Sequence, residues 1–427
     1  MEAGGKIGIV LAGGGARGAY EAGALSVLMP ALTRRGERAS IFVGASVGAV
    51  NAAALAGMAH LSADEAAEVA LLRWRQIRKR AVMRPMIGRQ LPVLALRSLE
   101  KLLSRRGARI GALLDPAPLG RSLRRWIDWP AVHANVGSGR VDAVAAVATE
   151  ARAGRSVVFV ESAENRQPRS SDAVGYVACE LTAEHLMASS AVPMVFPPVW
   201  LGQPPAERGW YLDGAIRLHQ PIKPCLDLGA DRVIMVAMAS AAGPPGDETA
   251  DAGAPELADG AVNVLRGLLG DSIIADLRTL GSVNRFYVAA EAPDRYRAAR
   301  GKPPYRRVPF IFVAPERRGA IGDMARAVAR SRYRGLRALR SPDFALIDRM
   351  LCADSPLGGE LLSYLLFDRD FIDELLAMGQ RDARRLLAGT QTEGPWQTEA
   401  LPPPDSYVSV AAQTPAKSAT PATTNAM

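Results

Sequence analysis

A serine lies between two glycines in the stretch IFVGASVGAV, directly after an apolar run and before an alanine-rich segment. Gly44, Ser46 and Gly48 form the pattern Gly-x-Ser-x-Gly, in which the serine occupies a sharp, strained turn between a strand and a helix. The turn lifts the hydroxyl to the start of the helix, where free N–H groups favour negative charge. Ser46 is therefore a candidate nucleophile. The alternative is an ordinary turn in which the serine only caps the helix.

A glycine-rich loop follows the first predicted strand and opens a helix. Backbone without side chains can approach an anion closely, and the N–H groups at a helix start can point at it. We expect an oxyanion hole here, in which one lost donor costs roughly 2.7–4 kcal/mol of barrier. Arg17 is expected to orient the loop or to hold an anionic head group, unless it is a surface arginine paired with a carboxylate. The predicted oxyanion residues are Gly13, Gly14, Gly15, Ala16, Arg17 and Gly18.

The same loop also matches Gly-x-Gly-x-x-Gly, the fingerprint of dinucleotide-binding proteins. A dinucleotide site requires an acidic residue about 20 residues further on, at the end of the second strand, to bind the ribose. Here the second predicted strand ends in Gly44, Ala45 and Ser46. The position that needs a carboxylate therefore holds the candidate nucleophile, and the sequence favours an oxyanion hole over a dinucleotide site.

A serine nucleophile needs a proton acceptor, which is usually a histidine held by an acid. Asp213 ends an apolar run and is followed at once by Gly214 and Ala215, in a turn that lets backbone approach closely. A carboxylate there could accept the serine proton directly if it were desolvated and within hydrogen-bond reach of Ser46. The alternatives are an ordinary Asp-Gly turn and a triad that uses His219, the histidine nearest to Asp213 in sequence.

Strands and helices alternate near the N-terminus. Ile7 to Leu11 form a continuous apolar run typical of a strand covered on both faces, and from Ala19 to about Leu32 the apolar spacing is helical. IFVGAS and VGAVNAAALAGM repeat the order of strand and helix. This alternation predicts an α/β fold with a parallel sheet. Further strands are predicted for VDAVAAVATE and SVVFVES, as a pair, and for ERGWYLDGA, DRVIMVAMA and VPFIFVAP.

Composition limits the class of protein. The 427 residues are 48% apolar and 22% charged, which is globular, and no run reaches the roughly 18–20 apolar residues that cross a bilayer. The net charge of +9 favours an anionic partner, either a membrane surface or a nucleic acid.

The cysteine content argues against disulfides and a zinc site, because Cys179, Cys225 and Cys352 are odd in number and far apart. We expect a cytoplasmic protein, with the option of a peripheral membrane contact.

The chain divides into three predicted parts. They are a catalytic α/β domain at 1–315, with a basic helical insertion at about 64–130 and a mobile loop at about 239–260, a helical extension at 316–389, and a disordered tail at 390–427. Segment 73–109 interleaves arginines with apolar side chains. That pattern suits either contact with an anionic leaflet or a solvated helical face packed on the core.

The three motifs together resemble the patatin-like phospholipase family. Members carry a glycine-rich loop GGGxRG, a Gly-x-Ser-x-Gly elbow and a later Asp-Gly-Gly or Asp-Gly-Ala, in that order. The segments ASSAVP, at 188–193, and LGAD, at 228–231, also resemble the family's stretches before and after the aspartate. The resemblance spans about residues 5–240 and, more weakly, 260–390.

This resemblance implies a three-layer fold in which helices flank a mostly parallel sheet, with a C-terminal helical region. It implies a Ser-Asp dyad, with Ser46 as nucleophile and Asp213 as general base, and a lipid acyl ester as substrate. No metal or other cofactor is expected, because backbone N–H groups supply the electrostatic stabilisation. No nucleic acid is expected, since no binding module accompanies the charge. The alternative function is an inactive relative that binds lipid or membrane as an interaction protein.

Overall fold

The structure is a computed structural model of the chain. It describes residues 5–85, 114–163, 168, 170–171, 173–193, 195–218, 221–238, 240, 280–281, 284, 306–333, 356–390 and 394–399. No helix in these ranges combines the length and the apolar character needed to cross a bilayer. Some predicted features lie outside the described residues: nearly all of the loop at 239–260, most of the basic segment at 73–109, His219 and Cys352. Membrane contact through segment 73–109 therefore stays a prediction.

A mostly parallel sheet forms the centre of the described structure. The strands in these ranges are β1 Ile7–Leu11, β2 Ala39–Ala45, β3 Arg84–Pro85, β4 Leu114–Asp115, β5 Ala143–Glu150, β6 Ser156–Ser162, β7 Val174–Ala178, β8 Val199–Leu201, β9 Gly209–Asp213, β10 Arg232–Val236 and β11 Phe310–Val313. The central sheet has the order β11, β10, β1, β2, β5, β6, β7, and β9 joins β8 to β5. Neighbours from β11 to β5 are parallel, whereas β6 and β9 run antiparallel to β5.

Helices flank the sheet and complete the expected three-layer α/β fold. Those in the described ranges are α1 Gly18–Thr33, α2 Val47–Gly57, α3 Ala63–Gln76, α4 Lys79–Val82, α5 Ala117–Trp126, α6 Trp129–Gly137, α7 Ala183–Ser189, α8 Ile222–Asp227, α9 Ala320–Tyr333, α10 Pro356–Leu365 and α11 Arg369–Gly389. The predicted order of strand, helix, strand and helix at the N-terminus is confirmed. Every residue of β1 is buried, as its continuous apolar run predicts.

Two strands end against the same side of β5, and this arrangement brings distant parts of the chain together. β2 runs parallel to β5 and pairs with it as far as Ala45, opposite Val147. β9 runs antiparallel to β5, and its last residue, Asp213, lies opposite Ala148. Because β6 occupies the other side of β5 along this stretch, β2 and β9 share one side and their carboxyl ends meet. The residue after β2 and the last residue of β9 are therefore neighbours.

The structure differs from the sequence prediction at two places. Within the segment predicted as helical at about 64–130, Arg84–Pro85 pairs antiparallel with Leu114–Asp115. Both of these two-residue strands include the residue before a proline, since Arg84 precedes Pro85 and Asp115 precedes Pro116. The residue before a proline is disfavoured in helical backbone angles, which explains why the helix is interrupted here. Part of the predicted disordered tail is also ordered. Gln397 exchanges two backbone hydrogen bonds with Phe310 of β11, so the prediction of disorder is wrong for residues 394–399.

The C-terminal helices pack closely on the first helix. A Cβ built on Gly23 of α1 would lie 2.2 Å from the carbonyl oxygen of Leu376 in α11. Likewise, a Cβ on Gly379 of α11 would lie 2.2 Å from the carbonyl oxygen of Tyr20. Both glycines therefore let the two helix backbones approach each other, and α11 packs on the same helix that follows the glycine-rich loop.

We expect Gly379→Ala to destabilise the protein by roughly 1–3 kcal/mol, because the added methyl group must push two helices apart. Gly389→Ala is the matched control in the same helix, where a Cβ meets nothing within 4 Å. That control should be neutral or slightly stabilising, by up to about 1 kcal/mol. Urea unfolding of both variants measures the difference. Equal midpoints would contradict the close contact between α1 and α11.

Candidate active site

Ser46 sits at a strained turn between β2 and α2. Its φ is 54°, and it is the one residue other than glycine with a positive φ in the described ranges. The turn is possible because its flanking positions lack side chains: a Cβ on Gly44 would lie 2.2 Å from the backbone of Gly48. A Cβ on Gly48 would lie 2.4 Å from the carbonyl oxygen of Leu11 in β1. Strain of this kind persists only where the surrounding packing imposes it.

The Ser46 side chain does not act as a helix cap, so the alternative of a purely capping serine is wrong. Ser46 precedes α2, yet its hydroxyl makes no capping hydrogen bond. Its backbone N–H donates to Oγ of Ser189 at 2.9 Å, and the Ser189 hydroxyl donates to the carbonyl of Val147 at 2.5 Å. Ser189 therefore fixes the turn against β5. Ser189 lies within the segment ASSAVP, and its role depends on a contact with Ser46 that is 143 residues away in the chain.

Half of the glycine-rich loop lines a cavity shared with Ser46. Gly13, Gly14 and Gly15 face that cavity, and their N–H groups donate no hydrogen bond to another residue in the described part of the chain. Gly13 is closest to the serine, since a Cβ built on it would lie 3.2 Å from Cβ of Ser46. Ala16, Arg17 and Gly18 are also buried, but they do not line the cavity. The first three residues are thus the ones placed to meet a bound group.

Arg17 is buried and ties the loop to the C-terminal helix α10. Its guanidinium forms an ion pair with Glu360 and donates to Oγ of Ser363 at 2.6 Å. It also donates to the backbone carbonyl of Glu360 at 2.7 Å and lies 4.1 Å from the ring centroid of Tyr364. These partners agree with the expectation that Arg17 orients the loop. They occupy the guanidinium, so it is not presented to a lipid head group, and it is not a surface arginine.

Asp213 is fully buried where β9 ends. Its Oδ1 accepts the N–H of Ala215 at 2.8 Å, which is the hydrogen bond of an ordinary Asp-Gly turn. Its Oδ2 is different: within the described ranges it is the one buried side-chain nitrogen or oxygen with no hydrogen-bond partner. Gly214 allows the turn, because a Cβ there would lie 2.1 Å from the carbonyl oxygen of Val147. One carboxylate oxygen thus stabilises the turn, while the other is available to accept a hydrogen bond or a proton.

Burial raises the pKa of Asp213 from 3.8 to about 7. The Ser46 side chain and the Ala215 N–H oppose this rise, because both favour the ionised carboxylate. Ser46 is therefore close enough to influence the carboxylate, although its hydroxyl forms no hydrogen bond with Oδ2. Hydrogen bonds of this kind are often long or poorly aligned before a substrate binds. A carboxylate with a pKa near 7 is much better matched to accept a proton at neutral pH than an ordinary aspartate.

Ser46, Asp213 and the glycine loop open into one large apolar cavity. Its volume is about 470 Å³, within the roughly 300–1,000 Å³ typical of ligand pockets. The walls come from helices α1, α2, α3, α5 and α10, and examples of their apolar lining are Leu25, Val50, Trp74, Leu119 and Leu361. Polar reactive groups thus meet an apolar chamber large enough for a ligand.

The described histidines contact residues other than Ser46 and Asp213. His60 contacts Asn135, His133 contacts Glu161, and His185 belongs to the capping box of α7. None of these three lines the cavity. No cluster of His, Cys, Asp or Glu side chains suited to a metal occurs in the ranges that the structure describes.

A buried polar network that was not predicted from the sequence supports the residue before the glycine loop. Glu21 of α1 is fully buried and accepts the N–H of Ala12 at 2.8 Å and Nδ2 of Asn51 at 2.8 Å. The Asn51 amide is oriented by Nε1 of Trp74, which donates to its Oδ1 at 3.0 Å. Burial raises the pKa of Glu21 to about 8. The network anchors the residue before Gly13, so Glu21 is a positioning residue for the loop.

Comparisons with known proteins give one family match and a match among the solved structures. The family model described as Patatin-like phospholipase matches residues 9–226, slightly more than half of the 427-residue chain. A search of solved structures matches VipD from Legionella pneumophila at 13% sequence identity, over 87% of this chain and 67% of that chain, with a TM-score of 0.27. A comparison with curated proteins gives no match.

The raised pKa of Asp213 makes stability depend on pH. A carboxyl group whose pKa is higher in the folded state stabilises the fold below its unfolded pKa, and this contribution is lost as pH rises through the folded pKa. From pH 5 to pH 8, we expect the unfolding free energy of the wild type to fall relative to Asp213→Asn by roughly 2–3 kcal/mol. Urea unfolding at several pH values measures this. Glu21 is present in both proteins, so its ionisation changes both unfolding free energies equally. A difference between the two proteins that stays constant with pH would contradict the burial of an ionisable Asp213.

Proposed function

The chain belongs to the patatin-like phospholipase family, and on that premise we propose that it hydrolyses acyl esters of lipids through a Ser46–Asp213 dyad. The products would be a fatty acid and an alcohol such as a lysophospholipid or a glycerol fragment. The observation that carries the proposal is the meeting of a strained serine and a buried carboxylate with an available Oδ2 in one apolar cavity. No other pair of described groups combines these properties.

In the first half of the reaction, Oγ of Ser46 attacks the ester carbonyl carbon while its proton passes to Oδ2 of Asp213. The carbonyl electrons move to the oxygen, and the N–H groups of Gly13, Gly14 and Gly15 stabilise the negative charge. The intermediate then collapses, the bond to the alcohol oxygen breaks, and that oxygen takes the proton from Asp213. The result is an acyl-serine and a free alcohol.

In the second half, water repeats these steps with the acyl-serine as the ester. The water oxygen attacks the acyl carbon while Asp213 accepts a proton from the water. Asp213 then returns this proton to Oγ of Ser46 as the fatty acid leaves. The apolar cavity supports the assignment of a lipid substrate, because it gives the acyl chain a place beside the serine. The free Oδ2 and the absence of a histidine from the described lining favour a dyad over a triad.

Hydrolysis of a chromogenic medium-chain ester tests the proposal. We expect Ser46→Ala to reduce turnover to background, because it removes the nucleophile. Asp213→Asn should lower kcat/KM by about 10²–10⁴, the usual contribution of general base catalysis. Steady-state kinetics of purified, folded variants measure both effects.

The chain offers a matched control for both variants. Ser40 donates to Oδ2 of Asp142 at 2.5 Å, which makes a second serine-aspartate pair at the opposite end of β5. Ser40→Ala and Asp142→Asn should keep turnover close to that of the wild type. A wild-type protein that binds lipid but releases no product from phospholipids, glycerides or simple esters would favour the inactive, lipid-binding alternative and contradict the proposal.

A further inference from the structure

Two tryptophans form an exposed pair on the β8–β9 hairpin. Trp200 and Trp210 lie directly opposite each other in the strand register. Their ring centroids are 5.4 Å apart in an edge-to-face arrangement, and the side chains are 50% and 48% exposed. With Leu72, they are the exposed large apolar side chains of the described residues. Indole rings expose a large apolar area to water, which is unfavourable. An exposed pair of them therefore indicates a binding surface.

The pair lies at the end of the sheet that carries the candidate active site. Trp210 precedes Asp213 by three residues on the same strand, which corresponds to roughly 10 Å. Because β9 runs antiparallel to β5, Trp210 projects beyond the last residue of β5, where its carbonyl accepts the N–H of Ala151 at 2.8 Å. Ser46 also follows the carboxyl end of its strand, β2. The tryptophans and the nucleophile thus share one end of the sheet.

The charged residues next to the pair along β5–β6 and β9 are three arginines and two glutamates. Arg152 and Arg208 are exposed, and neither pairs with a carboxylate in the described part of the chain. The neighbouring acids are already engaged, because Glu150 and Glu207 both contact Arg155, at 3.5 Å and 2.7 Å. Among the described residues, the surface next to the two indole rings therefore carries two guanidinium groups without a carboxylate partner.

We propose that Trp200 and Trp210, with Arg152 and Arg208, dock the protein onto an anionic lipid bilayer. Tryptophan is favoured at the boundary between headgroups and acyl chains, where its ring is apolar and its N–H remains hydrated. Arginines beside it attract anionic headgroups, and the attraction falls with ionic strength. Docking here brings the catalytic end of the sheet to the membrane surface. The proposal concerns binding alone and holds whether or not Ser46 turns over a lipid.

Co-sedimentation of the full chain with vesicles tests the proposal, in a Ser46→Ala background so that no lipid is degraded. The vesicles are phosphatidylcholine alone or phosphatidylcholine with phosphatidylglycerol. We expect Trp200→Thr combined with Trp210→Thr to reduce partitioning to the anionic vesicles by about tenfold or more. Threonine keeps the strand propensity of the hairpin, and circular dichroism checks folding. Leu72→Ala, which removes an equally exposed side chain elsewhere, should leave partitioning unchanged.

Two further measurements separate the contributions. Arg152→Gln combined with Arg208→Gln should weaken binding to anionic vesicles, flatten its salt dependence and leave binding to phosphatidylcholine unchanged. Lipids with brominated acyl chains should quench tryptophan fluorescence in the parent protein and less in the double tryptophan variant. Equal partitioning of the variant and its parent would overturn the proposal. So would a tryptophan-dependent dimer in sedimentation velocity without vesicle binding, because a second copy would then cover the pair.

Discussion

The site depends on two strands that end against one side of β5. β2 stops opposite Val147 and β9 stops opposite Ala148, so the residues at their ends occupy adjacent places. Ser46 must then turn sharply away, which gives it a positive φ, and Asp213 must turn with its side chain enclosed by the core. The proximity of the serine and the carboxylate is thus a consequence of strand register. The raised pKa of Asp213 follows from the same enclosure.

The glycine-rich loop is held between this sheet and a part of the chain beyond the family match. Glu21 holds the N–H of Ala12 before the loop. Arg17, within the loop, is bound by Glu360 and Ser363 of α10. A Cβ on Gly15 would lie 2.2 Å from the carbonyl oxygen of Tyr364, so the loop and α10 are in direct contact. The C-terminal helices therefore help to position the N–H groups that we propose as the oxyanion hole, and they form one wall of the cavity.

The sequence allowed the parallel sheet, its first two strands and helices, and the family to be predicted, because periodicity and glycine spacing are local signals. It also pointed to Ser46 and Asp213, each at the end of an apolar run. Their spatial relation depends on the register of β2 and β9 on β5, which no local pattern encodes. Glu21 was missed because a glutamate on a helix usually faces solvent, and burial of this one depends on Asn51 and Trp74. Order at 394–399 depends on Gln397 pairing with β11, again a long-range contact.

The most direct test of the central claim is the rate at which a fluorophosphonate modifies Ser46 as a function of pH, with the labelled residue identified by mass spectrometry. In the wild type, the rate should rise with pH and level off above about 7, as the Asp213 carboxyl group loses its proton. Asp213→Asn should be labelled slowly at every pH. Labelling of Ser46 that is equally fast in Asp213→Asn, or labelling at a different serine, would contradict the claim that Asp213 activates Ser46.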